Sequence, residues 1–245
     1  MAVLLVERSD GVVTATMNRT ERRNALDAEL FEALRALFVE VGERADDRAL
    51  VLTGAGGAFS SGGDLTPAAP SGDDARTVLR RFGRTAQALF DCPKPVIAAV
   101  DGVAAGAGMS LALGCDLIVA SDRARFALLF VRRGLALDCG ASWLAPRRVG
   151  PGRAAELALL GDWLDAVEAE RIGLVNRVVP ADDLAAAAHE WAARLAEHAP
   201  IAIGLIKRSM RASLTETFDE ALEREADDQM SCTSDPDFRS RISAR

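Results

Sequence analysis

The sequence has few of the residues needed for metal-dependent or histidine-dependent catalysis. Only two histidines occur among its 245 residues, His189 and His198. Both lie in an alanine-rich segment with helical character, and they are too far apart to form the i,i+4 pair that binds a metal on one helix face. We therefore interpret both as surface residues. The sequence predicts neither a metal centre nor a histidine-based triad.

The cysteine content is also low, and its spacing excludes two further classes of site. The four cysteines are Cys92, Cys115, Cys139 and Cys232, with no C-x-x-C pair among them. This spacing is not typical of a zinc site or a disulfide framework in a chain of this length. We expect reduced thiols in a cytoplasmic protein.

Positive net charge and long apolar runs are absent as well. The formal net charge is -7, which gives no electrostatic reason to expect binding to nucleic acid or to an anionic membrane. No apolar stretch reaches the roughly 18 residues of a membrane span. The first residues lack the basic region of a signal peptide. With 49% hydrophobic and 27% charged residues, the composition is that of a soluble globular protein.

Short β-rich runs alternate with amphipathic helical segments, which predicts an α/β protein. Residues 3–7 and 12–17 flank Asp10-Gly11, a hairpin signal. The remaining predictions are helices over 28–43 and 75–91, and buried strands over 49–53, 95–100 and 117–120.

The final third of the chain is predicted to be mostly helical. Residues 213–216 match a capping box, and Leu214, Phe218 and Leu222 follow at helical spacing. Such an apolar stripe faces either the protein core or a partner subunit. We favour the core.

Two of the predicted strands end in glycine-rich loops, over residues 54–63 and 102–108. Glycine lets the backbone approach a ligand closely, and a helix N-terminus offers unpaired N–H groups. Two such loops side by side would present converging donors for a developing oxyanion. Purely structural turns remain the alternative. A dinucleotide site is disfavoured, because GAGGAF lacks the G-x-G-x-x-G spacing and SSGGDLTPAAP cannot continue as a helix.

Four ordered segments carry a family resemblance: NRTERRNALDAEL, VLTGAGGAFSSGGDL, PKPVIAAVDGVAAGAGMSLALGCDLIVAS and ERIGLVNRVVP. In order and spacing they resemble the enoyl-CoA hydratase/isomerase (crotonase) family, over residues 3 to 215. The resemblance implies an α/β crotonase-like spiral of ββα units over residues 1–190. It also implies a helical C-terminal region over 191–245 that assembles homotrimers or hexamers.

The resemblance assigns the two oxyanion donors to the N–H groups of Gly63 and Ala107. Alanine stands at 107 where the family usually has glycine, but it still supplies an N–H group. The residues that would bind the acyl-CoA substrate are Arg22, Arg23, Ala25, Ser61, Gly62, Asp64, Leu65, Gly106 and Phe130. The two arginines could meet the phosphates of coenzyme A, or they could be solvated surface charges. No separate cofactor is expected, because coenzyme A is part of the substrate.

Family hydratases use two glutamates, and the corresponding positions are Ser110 and Phe130. Neither side chain can carry a carboxylate proton, so two-carboxylate hydration is disfavoured. A third family position holds Asp138, where isomerases and a dehalogenase of the family have an aspartate. The resemblance therefore favours a double-bond isomerase in which Asp138 moves the proton and Leu128, Leu129 and Phe130 make the pocket apolar.

Other interpretations of the same residues stay open. Asp138 could simply cap the helix that follows it, and Cys139 is expected to be a packed small residue. A nucleophilic Asp138 would make the protein an acyl-CoA hydrolase or dehalogenase. Hydration, which the family name suggests, and a non-catalytic acyl-CoA-binding trimer are further alternatives. The turn-rich segment 66–74 is expected to shape the acyl pocket.

Overall fold

A computed structural model of the protein describes residues 2–65 and 75–243. Within these ranges the strands are β1 (Leu4–Ser9), β2 (Val12–Met17), β3 (Ala49–Gly54), β4 (Val96–Val100), β5 (Val103–Ala105), β6 (Leu117–Ser121), β7 (Arg125–Ala127), β8 (Leu164–Asp165) and β9 (Arg177–Val179). The α-helices are α1 (Ala28–Glu43), α2 (Ala75–Asp91), α3 (Ala107–Gly114), α4 (Ala141–Leu160), α5 (Ala166–Arg171), α6 (Leu184–Ala196), α7 (Pro200–Ala212), α8 (Phe218–Ser234) and α9 (Pro236–Ser243). The α/β prediction is confirmed.

The main sheet has six strands in the order β1-β2-β3-β4-β6-β9. Strand β1 pairs antiparallel with β2 through the predicted hairpin, whose turn residues Asp10 and Gly11 both have positive φ. The other neighbours run parallel. The carboxyl ends of β3 and β4 therefore lie at the same edge of the sheet. This brings the two glycine-rich loops together.

The central strands are buried on both faces, as is usual for parallel sheets covered by helices. Side chains alternate along β3: Leu50 and Leu52 join the large core that α1 and α3 cover, whereas Ala49 and Val51 pack with α6. Residue 190, where the spiral region was predicted to end, lies inside α6, which packs on β3 and β4.

A second sheet, β5-β7-β8, supports the start of α3. Strand β5 follows β4 after a tight turn at Asp101 and Gly102, and it pairs parallel with β7. Helix α3 begins only two residues after β5 ends. The N-terminus of α3 is thereby held at the edge of the main sheet where the loop after β3 also lies.

The capping box predicted at residues 213–216 is wrong. It lies at Thr217 and Glu220, where the Thr217 side chain and the Glu220 side chain each bond the other residue's backbone N–H. Ser213 instead ends α7, and its hydroxyl donates to the Met210 carbonyl. The 213–216 pattern fails because these residues form the turn between α7 and α8, and Ser213 lies four positions before Thr217, the residue that caps α8.

The apolar stripe following the capping box does not face the core of the described chain. Leu214 precedes α8, while Phe218 and Leu222 on α8 are 77% and 48% exposed. The core interpretation of this stripe is therefore wrong. All helices in the described ranges are too short or too polar to serve as a bilayer-spanning segment.

Candidate active site

The loop that follows β3 lies between two other backbone segments. An isolated parallel bridge joins Gly63 to Leu26, and another joins Ser60 to Ala104 at the start of the second sheet. The loop is thus held on one side by the chain that precedes α1 and on the other by the chain that leads into α3. Both glycine-rich loops meet at this point.

The peptide between Gly62 and Gly63 has a fixed orientation. The Gly62 carbonyl of this peptide accepts a hydrogen bond of 2.8 Å from the Leu26 N–H. The preceding peptide is held as well, because the Gly62 N–H donates to Ser60 Oγ at 3.2 Å. In a planar trans peptide the N–H points opposite to the carbonyl, so the Gly63 N–H points away from Leu26. Within the described residues it has no protein acceptor. A methyl group built on Gly63 would meet nothing within 4 Å.

The peptide between Gly106 and Ala107 is oriented by the same principle. The Gly106 carbonyl accepts hydrogen bonds from the Ser110 N–H at 3.0 Å and from Ser110 Oγ at 3.2 Å. The Ala107 N–H therefore points out of the N-terminus of α3. In the described part of the chain this N–H also lacks a protein acceptor.

The two peptides lie next to each other. A methyl group built on Gly62 would lie 3.6 Å from the Ala107 nitrogen, and one built on Gly106 would lie 3.9 Å from the Gly62 α-carbon. Two unpaired N–H groups on adjacent loops can bind an oxygen atom that gains negative charge. The structure thus places on adjacent loops the two N–H groups to which the resemblance assigned the oxyanion.

Asp138 does not cap the helix that follows it. Helix α4 begins at Ala141 with Gly140 at its N-cap position, where no side chain caps the helix. Asp138 contributes only its backbone carbonyl, which accepts from the Ala141 N–H at 3.0 Å. Between them, Cys139 and Gly140 both have positive φ. The helix-cap interpretation of the Asp138 side chain is wrong.

The Asp138 side chain is half-buried, and its carboxyl group is incompletely bonded. Its Oδ1 atom is the one buried side-chain oxygen or nitrogen without a hydrogen-bond partner in residues 2–65 and 75–243. Burial raises the pKa of Asp138, while a hydrogen bond from the Cys139 thiol opposes that rise. Burial also raises the pKa of Cys139, so this cysteine is a packed, neutral thiol. A buried carboxyl with a raised pKa suits proton transfer.

A cavity of about 480 Å³ lies between α2, α3 and the start of α4. Its lining residues are Gly83, Ala86, Gln87, Leu89, Phe90, Ser110, Leu111, Gly114, Cys139, Gly140, Trp143 and Leu144. The first turn of α3 and the two residues after Asp138 thus face the same cavity. None of the lining residues carries a carboxylate. The segment 66–74, expected to shape this pocket, lies outside the described residues.

Ser110 and Phe130, at the two positions that hold glutamate in family hydratases, both have structural roles. The buried Ser110 hydroxyl is used in bonding the Gly106 carbonyl. Phe130 is buried in the large core together with Leu128, and neither lines the cavity described above. Phe130 is therefore placed as a core residue, and the apolar walls of the cavity come from α2, α3 and α4.

The residues expected to bind coenzyme A differ in their exposure. Arg22, Arg23, Ser61 and Leu65 are exposed, whereas Ala25 and Gly62 are buried and Asp64 is half-buried. The Ser61 N–H donates to the Arg23 carbonyl at 2.9 Å, and the Asp64 N–H donates to the Leu26 carbonyl at 2.9 Å. These amides hold the loop against the chain before α1.

Three residues of this region were missed from the sequence: Arg19, Asn24 and Ser60. Asn24 is fully buried with φ +54°. Its Nδ2 donates to the carbonyls of Ala55 and Ala58, at 2.9 and 2.7 Å. Ser60 Oγ donates to the Asn24 carbonyl at 2.8 Å. An asparagine before an apolar run is the only sequence signal, because asparagine tolerates positive φ.

A family model described as enoyl-CoA hydratase/isomerase matches residues 7–244. The chain belongs to this family. Curated relatives of this enoyl-CoA hydratase/isomerase family member include the 1,2-epoxyphenylacetyl-CoA isomerase of Escherichia coli (strain K12), 40% identical over 100% of this chain and 95% of the relative. The 4-chlorobenzoyl coenzyme A dehalogenase-2 of an Arthrobacter species is 35% identical over 97% of this chain and 88% of the relative.

The crystal structure of an enoyl-CoA hydratase/isomerase from Cupriavidus metallidurans CH34 superimposes with a TM-score of 0.90 at 36% identity, covering 100% of this chain and 93% of that one. The predicted crotonase-like fold is confirmed. Isomerase, hydratase and dehalogenase all occur among the names of such relatives. The chain is therefore an acyl-CoA-processing enzyme of this family, whose members are named after several different reactions.

Proposed function

We propose that this family member isomerises the double bond of enoyl-CoA thioesters, with Asp138 as the proton-transferring group. The observation that carries the proposal is the buried Asp138 Oδ1 atom, which has no hydrogen-bond partner within the described residues. An unpaired carboxylate oxygen has a free lone pair for a substrate proton. A purely structural aspartate would be expected to have its buried oxygens satisfied.

The proposed reaction is a 1,3-proton shift. Asp138 removes a proton from C2 of a 3-enoyl-CoA, and the electron pair delocalises onto the thioester oxygen. The N–H groups of Gly63 and Ala107 stabilise the resulting enolate oxygen. Protonated Asp138 then delivers the proton to C4, and the double bond settles between C2 and C3. One carboxyl group serves both carbons if it lies over one face of the substrate.

The surroundings of Asp138 support this role. The 480 Å³ cavity next to it is lined mainly by apolar side chains, including Phe90, Leu111 and Trp143. An acyl group bound there would exclude water from Asp138 and further favour its protonated form. The exposed Arg22 and Arg23 lie where positive charge would attract the phosphates of coenzyme A. We further propose assembly into a homotrimer or hexamer through the C-terminal helices, in the cytoplasm.

The test uses the wild-type protein and Asp138→Asn with a 3-enoyl-CoA substrate, followed by the absorbance of the conjugated 2-enoyl product. We expect turnover by the wild type and a loss of about 100-fold or more in kcat for the variant, the usual contribution of a general base. Unchanged isomerisation by Asp138→Asn would show the mechanism to be wrong. A wild type that binds acyl-CoA but turns over none would favour a non-catalytic binder.

A second candidate is substitution at an aromatic acyl-CoA by nucleophilic Asp138. It is favoured by the likeness to a 4-chlorobenzoyl-CoA dehalogenase and by the same unpaired oxygen. This route needs groups that activate water for hydrolysis of the aryl ester formed on Asp138, and the described residues lining the cavity include neither histidine nor carboxylate. Chloride release from 4-chlorobenzoyl-CoA is the direct measurement. A turnover rate above that of isomerisation would favour this second candidate.

A further inference from the structure

We infer that Arg19 is a positioning residue that aims the Gly63 N–H at the thioester oxygen. The inference rests on the proposed function, because it assigns that oxygen to Gly63. Arg19 precedes the short turn that leads to α1, and its guanidinium group contacts two segments at once. It meets Asp27 Oδ2 at 3.0 Å, Asp64 Oδ2 at 3.1 Å and the Ala25 carbonyl oxygen.

These three partners surround the Leu26–Gly63 bridge. Ala25 and Asp27 are the chain neighbours of Leu26, and Asp64 is the neighbour of Gly63. The bridge has two hydrogen bonds of its own, from the Leu26 N–H to the Gly62 carbonyl and from the Asp64 N–H to the Leu26 carbonyl, at 2.8 and 2.9 Å. The first of these bonds orients the Gly63 N–H. Arg19 therefore fastens both sides of the contact that sets the direction of this donor.

The charges explain why a backbone bridge alone would be insufficient. Asp27 and Asp64, one from each of the two bridged segments, bring their carboxylates to the same guanidinium nitrogen of Arg19, whose positive charge offsets their mutual repulsion. Arg19 is placed between them, and the side chains of Arg19 and Asp64 are each only 15% exposed. Charge-assisted hydrogen bonds at such half-buried sites are stronger than those of fully exposed pairs. The planar guanidinium group can also contact several acceptors in fixed directions.

Precise aim matters because an oxyanion donor works within a narrow geometric range. The donor nitrogen must lie about 2.7–3.1 Å from the oxygen, and losing a single donor lowers kcat by about 100-fold or more. Loosening the Leu26–Gly63 bridge would weaken this donor without removing it. We therefore expect Arg19 to affect the enolate-stabilising step more than the binding of coenzyme A.

Arg8 offers a matched control. It also bridges two carboxylates, Glu40 at 2.7 Å and Asp47 at 3.2 Å, and it also joins separate elements. In the β1–β2 ladder, Arg8 lies opposite Val13, near the start of β2. This end of the strands is the one away from the glycine-rich loops. Arg8→Met removes a comparable clamp far from the proposed site.

The experiment measures carbonyl polarisation directly. Butanoyl-CoA labelled with ¹³C at the thioester carbonyl is bound at saturation to the wild type, Arg19→Met, Arg19→Lys and Arg8→Met, and its infrared stretch is recorded. Hydrogen bonds from Gly63 and Ala107 lower the stretching frequency of the bound wild-type complex. We expect Arg19→Met to lose about half of this shift and to lower kcat by about tenfold or more, with a smaller change in KM. Arg8→Met should keep the full shift and kcat.

Retention of the full shift and kcat by Arg19→Met would overturn the inference. If Arg19→Met does not fold, Arg19→Lys is measured in its place, because a single ammonium group cannot contact all three acceptors as the guanidinium group does. A full carbonyl shift in Arg19→Lys would then overturn the inference. A wild type that polarises the carbonyl without isomerising 3-enoyl-CoA would overturn the isomerase proposal and not the role of Arg19. A wild type that binds the thioester without polarising it would overturn both.

Discussion

A methyl group built on Gly62 would lie 2.8 Å from the carbonyl oxygen of Ala105, and Gly62 has φ +101°. Ala105 is the last residue of β5, two positions before Ala107. The loop after β3 and the chain entering α3 are therefore in direct backbone contact. The two segments can approach each other this closely because Gly62 has no side chain. The neighbouring Gly63, in contrast, faces open space.

This relationship predicts opposite results for two adjacent substitutions. Gly62→Ala should lower the free energy of unfolding by about 2 kcal/mol or more, because the methyl group overlaps a backbone oxygen and the φ angle is strained. Gly63→Ala has room for its methyl group and should change stability by less than about 1 kcal/mol. Urea unfolding of both variants measures the difference. Equal stability of the two would show that the loops are not in close contact.

The charge on Asp138 should destabilise the folded protein at neutral pH. Burial raises the pKa of this carboxyl above its usual range. A carboxyl whose pKa is raised on folding loses stability as the pH rises from its unfolded pKa through its folded pKa. Asp138→Asn should therefore be more stable than the wild type at pH 7. The gain should diminish as the pH falls to about 4, near the ordinary aspartate pKa.

Thermal unfolding of both proteins from pH 4 to pH 8 tests this sign. If the stability gain of Asp138→Asn instead grew towards acidic pH, folding would be stabilising the charged carboxylate. That result would contradict the pKa direction expected from the burial of its unpaired oxygen. The same raised pKa predicts that isomerase activity falls at acidic pH as Asp138 becomes protonated, with the acidic limb above the ordinary aspartate pKa. Wild-type kcat measured over the same pH range checks this limb.

Hydration of crotonyl-CoA should be slower than isomerisation of a 3-enoyl-CoA by about 100-fold or more. The Ser110 hydroxyl is bonded to the Gly106 carbonyl, and Phe130 is buried in the core. Among the described residues that line the cavity there is no carboxylate that could join the neighbouring Asp138 in activating water. Loss of absorbance by crotonyl-CoA measures hydration. Efficient hydration by pure protein would overturn the arguments from Ser110 and Phe130.

The exposed apolar residues of α8 predict an interface between copies of the chain. Phe218 and Leu222 lie one helical turn apart, and large apolar side chains exposed side by side favour association. Phe218→Asp should lower the mass measured by light scattering at micromolar concentration. Val167→Asp, on α5, is the matched control because Val167 is 68% exposed but lies outside the C-terminal helices. A mass that is equally unaffected in both variants would exclude Phe218 from the interface.

Local sequence patterns predicted the regular elements well. Helices over 28–43 and 75–91 were predicted at the bounds found for α1 and α2. The strand predicted over 12–17 matches β2, and the other strand predictions differ from the structure by a few residues. These elements have a clear periodicity and clear breakers, such as the Asp27 side chain that caps α1. The C-terminal capping box was misplaced because two consecutive segments, residues 213–216 and 217–220, carry the same pattern.

Residues whose role depends on contacts distant in sequence were not predictable in this way. Arg19 is 45 positions from Asp64, and Asn24 is 34 positions from Ala58. Their side chains become informative only when the sheet brings the two segments together. The orientation of the Gly63 N–H could not be predicted from the sequence either, because it depends on the hydrogen bond from the distant Leu26 N–H to the Gly62 carbonyl.

The sequence by itself determined the family, the order of the elements and the absence of carboxylates at positions 110 and 130. Those properties depend on residue identity and spacing along the chain. Only the tertiary structure decided that the Asp138 side chain does not cap α4, that its Oδ1 atom is buried without a partner, and that the two glycine-rich loops meet. The physical reason is that burial and hydrogen-bond satisfaction depend on which segments pack together, and residue spacing does not specify that packing.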